Sequence, residues 1–146
     1  MRIYLDNCCY NRPFDKQNQL RIRLETEAKL HIQRMMRLGI VEYAWSDILS
    51  QEVSDSPFPA RQEKIFEWED GAAANVPITP EIVVKASALV ARGLGKADAL
   101  HVVCAEAAGC DWFLTTDKPL LKKLRQYGGM RIANPMEFLV EDENDD

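Results

Sequence analysis

Asp6, Glu52, Asp98 and Asp117 stand where strands end, where helices begin or beside an apolar helical stripe. Gathered in one partly buried pocket, four such carboxylates would repel one another strongly. A hard divalent cation removes that repulsion. Mg²⁺ or Mn²⁺ accepts oxygen ligands of this kind while keeping waters and a substrate phosphate in its shell. Such an ion can activate a water and stabilise a leaving oxygen, the two needs of phosphodiester hydrolysis.

Singly, each acid has a plainer explanation. Asp6 closes an apolar run and suits a turn. Glu52 lies at the edge of the face formed by Ile48, Leu49 and Val53, where a long stem can cover apolar surface while its head reaches water. Asp98 falls in a first helical turn, which the helix dipole favours by about 0.3–1 kcal/mol. Asp117 precedes Lys118 and Pro119 and suits a helix cap. It is the conjunction that predicts a shared site. His101, one turn after Asp98, reads as a hydrogen-bonded structural histidine rather than a general base, and Ser46 as a helix cap rather than a nucleophile. Lys96, Lys118 and Lys122 are candidate phosphate contacts, with solvated surface charge as the alternative.

The elements that must position these residues alternate in type. Ile3 to Leu5 reads as a buried strand ending at Asp6, with Pro13 preventing an immediate helix. Apolar residues recur at helical spacing from about Gln17 to Leu38, closed by Gly39. A strand over Ile40–Trp45 leads into a helix through Ser54 that carries Glu52, and a further helix spans Pro59–Glu69. A short strand at Val76–Pro77 and a helix capped by Thr79 and ended near Gly93 and Gly95 follow. A helix over Ala97–Ala108, a strand over Trp112–Thr115, a short helix from Asp117 to Arg125 and a strand over Met130–Ile132 complete the series, before a turn at Asn134 and Pro135. This alternation predicts a single α/β domain over residues 1–140, with a mostly parallel sheet between helical layers, and an acidic disordered tail over 141–146. In such sheets ligands gather beyond the carboxyl ends of the strands, where Asp6 and Asp117 fall.

The 146 residues, 47% hydrophobic, suffice for one core. No segment approaches the roughly 20 apolar residues that span a bilayer, and no signal-like leader is seen, so a cytoplasmic protein with reduced cysteines is expected. Cys8 and Cys9 are adjacent, which suits a tetrahedral zinc site poorly. The net charge of −5 taken alone disfavours nucleic acid, but five acids lie in the terminal run EDENDD and the rest of the chain balances to zero. A phosphatase of the haloacid-dehalogenase type needs a second aspartate two positions after the first, where Cys8 stands, and neither GxxxxGK[ST] nor GxGxxG occurs.

The succession YLDNCCYNRPF, SDILSQE, KADALHVVCAEAAGCDWFLTTDKPLLKK and RIANP resembles the PIN-domain nucleases, including VapC-type toxin ribonucleases, over almost the whole chain. The resemblance implies an α/β/α sandwich and a Mg²⁺- or Mn²⁺-dependent endoribonuclease, with Asp6, Glu52, Asp98 and Asp117 as metal-binding acids. Thr115 would orient a carboxylate through its hydroxyl. Asn7 replaces the small hydroxyl residue often found after the first aspartate, and an amide differs from it in reach and donors. RNA as substrate, a small antitoxin protein as partner and a homodimer are the accompanying expectations. The alternative is a catalytically inactive PIN-like module that binds RNA or protein.

Overall fold

The computed structural model of the chain describes residues 1–144. Five strands form its sheet: β1 (Arg2–Leu5), β2 (Glu42–Ser46), β3 (Ala74–Val76), β4 (Trp112–Leu114) and β5 (Arg131–Ala133). Their order is β3-β2-β1-β4-β5 and every neighbouring pair is parallel. Eight α-helices accompany them among the described residues: α1 (Asn7–Asn11), α2 (Leu20–Arg37), α3 (Asp47–Ser54), α4 (Pro59–Phe66), α5 (Pro80–Ala91), α6 (Lys96–Ala107), α7 (Lys118–Lys123) and α8 (Pro135–Asn144). None of them is long and apolar enough to cross a membrane.

Side chains alternate across a strand, and the register shows which helices cover which face. Tyr4 pairs with Phe113 in register and stacks on it, and its hydroxyl reaches His101 of α6. That face carries α6, against which α5 packs. Ile3, Leu5, Trp45 and Trp112 point the other way. Trp112 meets Phe138 of α8, Trp45 meets Tyr10 of α1 and Phe66 of α4, and α8 packs along α2. The sheet is therefore covered on both sides, which is why Ile3, Tyr4, Leu5, Phe113 and Leu114 are all buried completely. Each large side chain so placed contributes about 1.5–3 kcal/mol from lost apolar exposure.

Local chemistry sets the helix starts. Ser46 accepts from the Leu49 N–H at 3.2 Å, Thr79 from Ile82 at 3.3 Å and Asp117 from Leu120 at 3.1 Å, so α3, α5 and α7 each begin on a side-chain cap. Gly39, with φ of 72°, closes α2 in a conformation that a side chain would strain.

Beyond shifts of element ends, such as β3 at Ala74–Val76 and α4 ending at Phe66, three features differ from the sequence reading. Pro13 does not prevent a helix after Asp6, because the five-residue α1 ends before it and Pro13 sits inside a 3-10 turn over Arg12–Phe14. Helix α2 begins at Leu20 rather than Gln17, whose side-chain amide donates to the carbonyls of Arg12 and Asp15 and holds that residue in the loop. The turn at Asn134–Pro135 is a helix start: Asn134 Oδ1 accepts from Met136 N–H at 2.9 Å, proline suits the first helical position, and Phe138 is buried against Trp112. Helix α8 consequently runs through 141–144, where a disordered tail was expected, and Asp145 and Asp146 lie outside the described residues.

Candidate metal centre

Strand order reverses beside β1: β2 and β3 extend the sheet on one side, β4 and β5 on the other. The crevice at such a switch point opens beyond the carboxyl ends of β1 and β4. Asp6 follows β1 directly, and Thr115 to Asp117 follow β4.

Asp6 is almost fully buried and held from several directions. Its Oδ1 accepts from the Asn7 backbone N–H at 2.8 Å and its Oδ2 from the Thr115 hydroxyl at 2.8 Å and the Cys8 thiol at 3.5 Å. The Thr115 oxygen also accepts from the Asp117 N–H at 3.1 Å, so one hydroxyl ties the acid after β1 to the loop after β4. Asp117 caps α7 through Oδ1. Asn7 acts differently from the expected side-chain role: its amide oxygen accepts from Asn11 at 3.1 Å, and only its backbone touches Asp6.

Glu52 projects from α3 with its carboxylate hydrogen-bonded to His101 Nε2. Ligand atoms of Asp6, Glu52 and His101 all lie within 4.8 Å of one another. A carboxylate only accepts, so Nε2 carries the proton. In the neutral ring Nδ1 then accepts from the Tyr4 hydroxyl at 2.6 Å, and Tyr4 accepts in turn from Ser46 at 2.7 Å. Burial raises the Tyr4 ionisation well above its ordinary value and keeps the phenol protonated for this role. Burial alone would lower the His101 ionisation, but the bond to Glu52 and the charges of Asp6, Glu52 and Asp98 outweigh it and raise it.

Asp98, half-buried in the first turn of α6, shares this field. Its carboxyl is pushed up first by burial, then by the charges of Asp6 and Asp117 and more weakly by Glu52, with His101 opposing them. All four acids are thus electrostatically coupled at one end of the sheet. The structure brings oxygens of Asp6 and Glu52 together, with Asp98 and Asp117 outside that close group but within the same field, and such a carboxylate set suits a hard divalent cation such as Mg²⁺ or Mn²⁺. Lys96, Lys118 and Lys122 are exposed. Lys118 and Lys122 line a groove with Arg21 and Arg125, and Arg21 donates to the carbonyl of Thr116 beside Asp117.

Two participants carried little sequence signal. Tyr4 looks like any core residue of a buried strand. Cys8, read only as packing near the site, touches Asp6 and Thr115 and accepts from the Thr116 N–H at 3.4 Å. His101, read as a hydrogen-bonded structural histidine, is hydrogen-bonded to Tyr4 and also directly to one of the acids.

Residues 59–125, which include Asp98 and Asp117, match the family model of the PIN domain. Among solved structures, FitAcB from Neisseria gonorrhoeae aligns with a TM-score of 0.61 at 14% identity, covering 92% of this chain and 98% of that one. VapBC2 from Rickettsia felis, bound to a DNA fragment from their promoter, aligns with a TM-score of 0.58 at the same identity and coverage. No curated protein matches. The family match is confined to residues 59–125, while the likeness of fold to these solved structures extends over nearly the whole chain.

Proposed function

We propose that the chain is a Mg²⁺- or Mn²⁺-dependent endoribonuclease that hydrolyses RNA phosphodiester bonds, and that it is the toxin of a toxin–antitoxin pair. One observation carries the reading: Asp6 and Glu52 approach within one ion's reach, and the Asp98 carboxyl feels both of them together with Asp117. A bound cation would supply Lewis acidity to activate a water and to stabilise the leaving oxygen.

The chain's own groups do the positioning. Thr115 and the Asn7 N–H fix both oxygens of Asp6, His101 fixes Glu52, and Asp117 is anchored through one oxygen. The groove with Arg21, Lys118, Lys122 and Arg125 offers cations to a phosphate backbone next to these acids. Leu20, Leu24 and Leu30 of α2 are exposed and give an antitoxin helix, or a second copy of the chain, apolar side chains to cover. VapBC2 and FitAcB, by their likeness, support the toxin part of the reading.

The test is cleavage of RNA and of DNA by the wild type and by Asp98→Asn, with Mg²⁺, with Mn²⁺ and with chelator. RNA cleavage that needs metal and is lost in the variant is expected. Equal cleavage by both proteins, or none by either with any metal, removes the proposal.

A further inference from the structure

On the face of the sheet that α2 covers, a cavity of about 190 Å³ lies between α1, α2 and α4. Its lining includes none of Asp6, Glu52, Asp98, Asp117 and His101, so it is separate from the acidic pocket. Lys29, Gln33 and Arg37 follow one another at four-residue steps on α2 and form a single stripe along it.

The inner two residues of this stripe are poorly provided for. Lys29 is 2% exposed, yet its ammonium makes one hydrogen bond, to the Tyr10 carbonyl at 3.5 Å, and stands over the Tyr10 ring. It has no carboxylate partner among the described residues. Gln33 is 5% exposed, and its amide makes no hydrogen bond to any described residue. A buried ammonium with a single long hydrogen bond is costly, and an anion that accepts both from it and from the Gln33 amide on the same stripe would relieve that cost. Burial lowers the Lys29 ammonium to about 7, so without a counter-charge it gives up its proton readily, and a bound carboxylate would restore the charged form.

The remaining walls set what kind of anion this is. Ile65, Trp68 and the Tyr10 ring are apolar surfaces, the Tyr10 hydroxyl is buried without a hydrogen-bond partner among the described residues, and Arg37 at the mouth lies with its guanidinium 4.7 Å from the centre of the Trp68 ring. At the rim Lys64 and Glu67 face each other at 3.9 Å and largely cancel. One interior cation calls for one negative charge, apolar walls call for an apolar body, and the volume is below the roughly 300–1,000 Å³ of drug-sized pockets. We propose that this cavity binds a small monocarboxylate with a compact apolar body, its carboxylate held by Lys29 and Gln33. A phosphate, with more charge and no apolar part, fits these walls less well.

The experiment uses the full chain with ¹³C-labelled lysine side chains, titrated with isobutyrate, with benzoate and, separately, with inorganic phosphate, while the Lys29 signal is followed by NMR. Assignment comes from the resonance lost in Lys29→Met. The expected result is a saturable shift of the Lys29 signal with at least one carboxylate and none with phosphate. Gln33→Leu should weaken that binding about tenfold or more, the effect of removing one hydrogen bond to a charged group. No saturable shift, an equal response to phosphate, or unchanged affinity in Gln33→Leu overturns the proposal. RNA cleavage measured on the same variants keeps the two sites apart, since neither Lys29 nor Gln33 belongs to the acidic pocket.

Discussion

Glu52 sits at the end of a flexible stem, so its place in the acidic pocket depends on what holds its head. His101 does this, and His101 is itself oriented by Tyr4, which is oriented by Ser46. The chain of bonds fixes the histidine tautomer and turns a mobile carboxylate into a placed one. Tyr4→Phe removes the hydroxyl and leaves Nδ1 of a buried ring without its donor. Mn²⁺ affinity and RNA cleavage should fall together by about 10–100-fold, as for other groups standing behind metal ligands. Titration with Mn²⁺ and a cleavage assay on the folded variant check this, and unchanged values would make the Tyr4 hydroxyl merely structural. The acids themselves were legible in the sequence because strand ends and helix starts are written locally, in runs such as YLD and TTDKP. The Tyr4–His101 bond was not, because its partners are 97 residues apart and a tyrosine inside an apolar run signals only burial.

At the scale of elements, the loops that carry Asp6 and Asp117 are steadied from the α2 side by one buried acid. Glu25, fully buried on α2, accepts from Arg12 in the 3-10 turn at 2.9 Å, from Arg21 at 3.0 Å and from Asn134 before α8 at 2.7 Å. Arg21 also reaches the Thr116 carbonyl, and Arg12 reaches Asp15. The acid thereby ties the segment after α1, the first turn of α2 and the start of α8 to one point. Glu25→Ala leaves the Asn134 amide without its partner in a buried position and takes one partner from each of two arginines that water can still reach. A loss of about 2–4 kcal/mol in urea unfolding is expected, between that of one unsatisfied buried group and that of a fully buried broken pair. A loss under about 0.5 kcal/mol, the range of ordinary surface changes, would mean that the cluster ties nothing. This strap was invisible beforehand for the same reason that α1 and α8 were. A five-residue helix has no periodicity to read, and the apolar face of α8 amounts to little more than Phe138 and Leu139 before the acids begin.

For the whole molecule, the strand order that brings the acids together also makes stability depend on pH and on metal. The Asp98 carboxyl titrates above its ordinary 3.8 because burial and then Asp6 and Asp117 disfavour its charge, so between those two values the folded chain holds more protons than the unfolded one. Stability without metal should therefore fall as pH rises through the raised Asp98 value. His101, raised above 6.5 by Glu52 and its neighbours against the effect of burial, contributes stability that is complete below 6.5 and is lost as pH rises through its folded value. Lys29 has the opposite sign. Burial, with Arg37 adding to it and Cys9 opposing, lowers it from 10.5 to about 7, so the unfolded chain binds the extra proton and stability recovers between those values by up to about 1.4 kcal/mol per pH unit. Lys29→Met should abolish this alkaline recovery and stabilise the chain at pH 7, where a buried charge is exchanged for an apolar side chain. A cation at the acidic end compensates the carboxylates and binds only the folded form, so saturating Mn²⁺ should raise the neutral part of the profile most. Asp98→Asn takes away one of the repelling charges. It should be more stable than the wild type without metal near pH 7 and should gain less from Mn²⁺. Urea unfolding of both proteins from pH 4 to 10, with Mn²⁺ and with chelator, reads all of these limbs at once; equal Mn²⁺ stabilisation of wild type and variant would separate Asp98 from the metal centre.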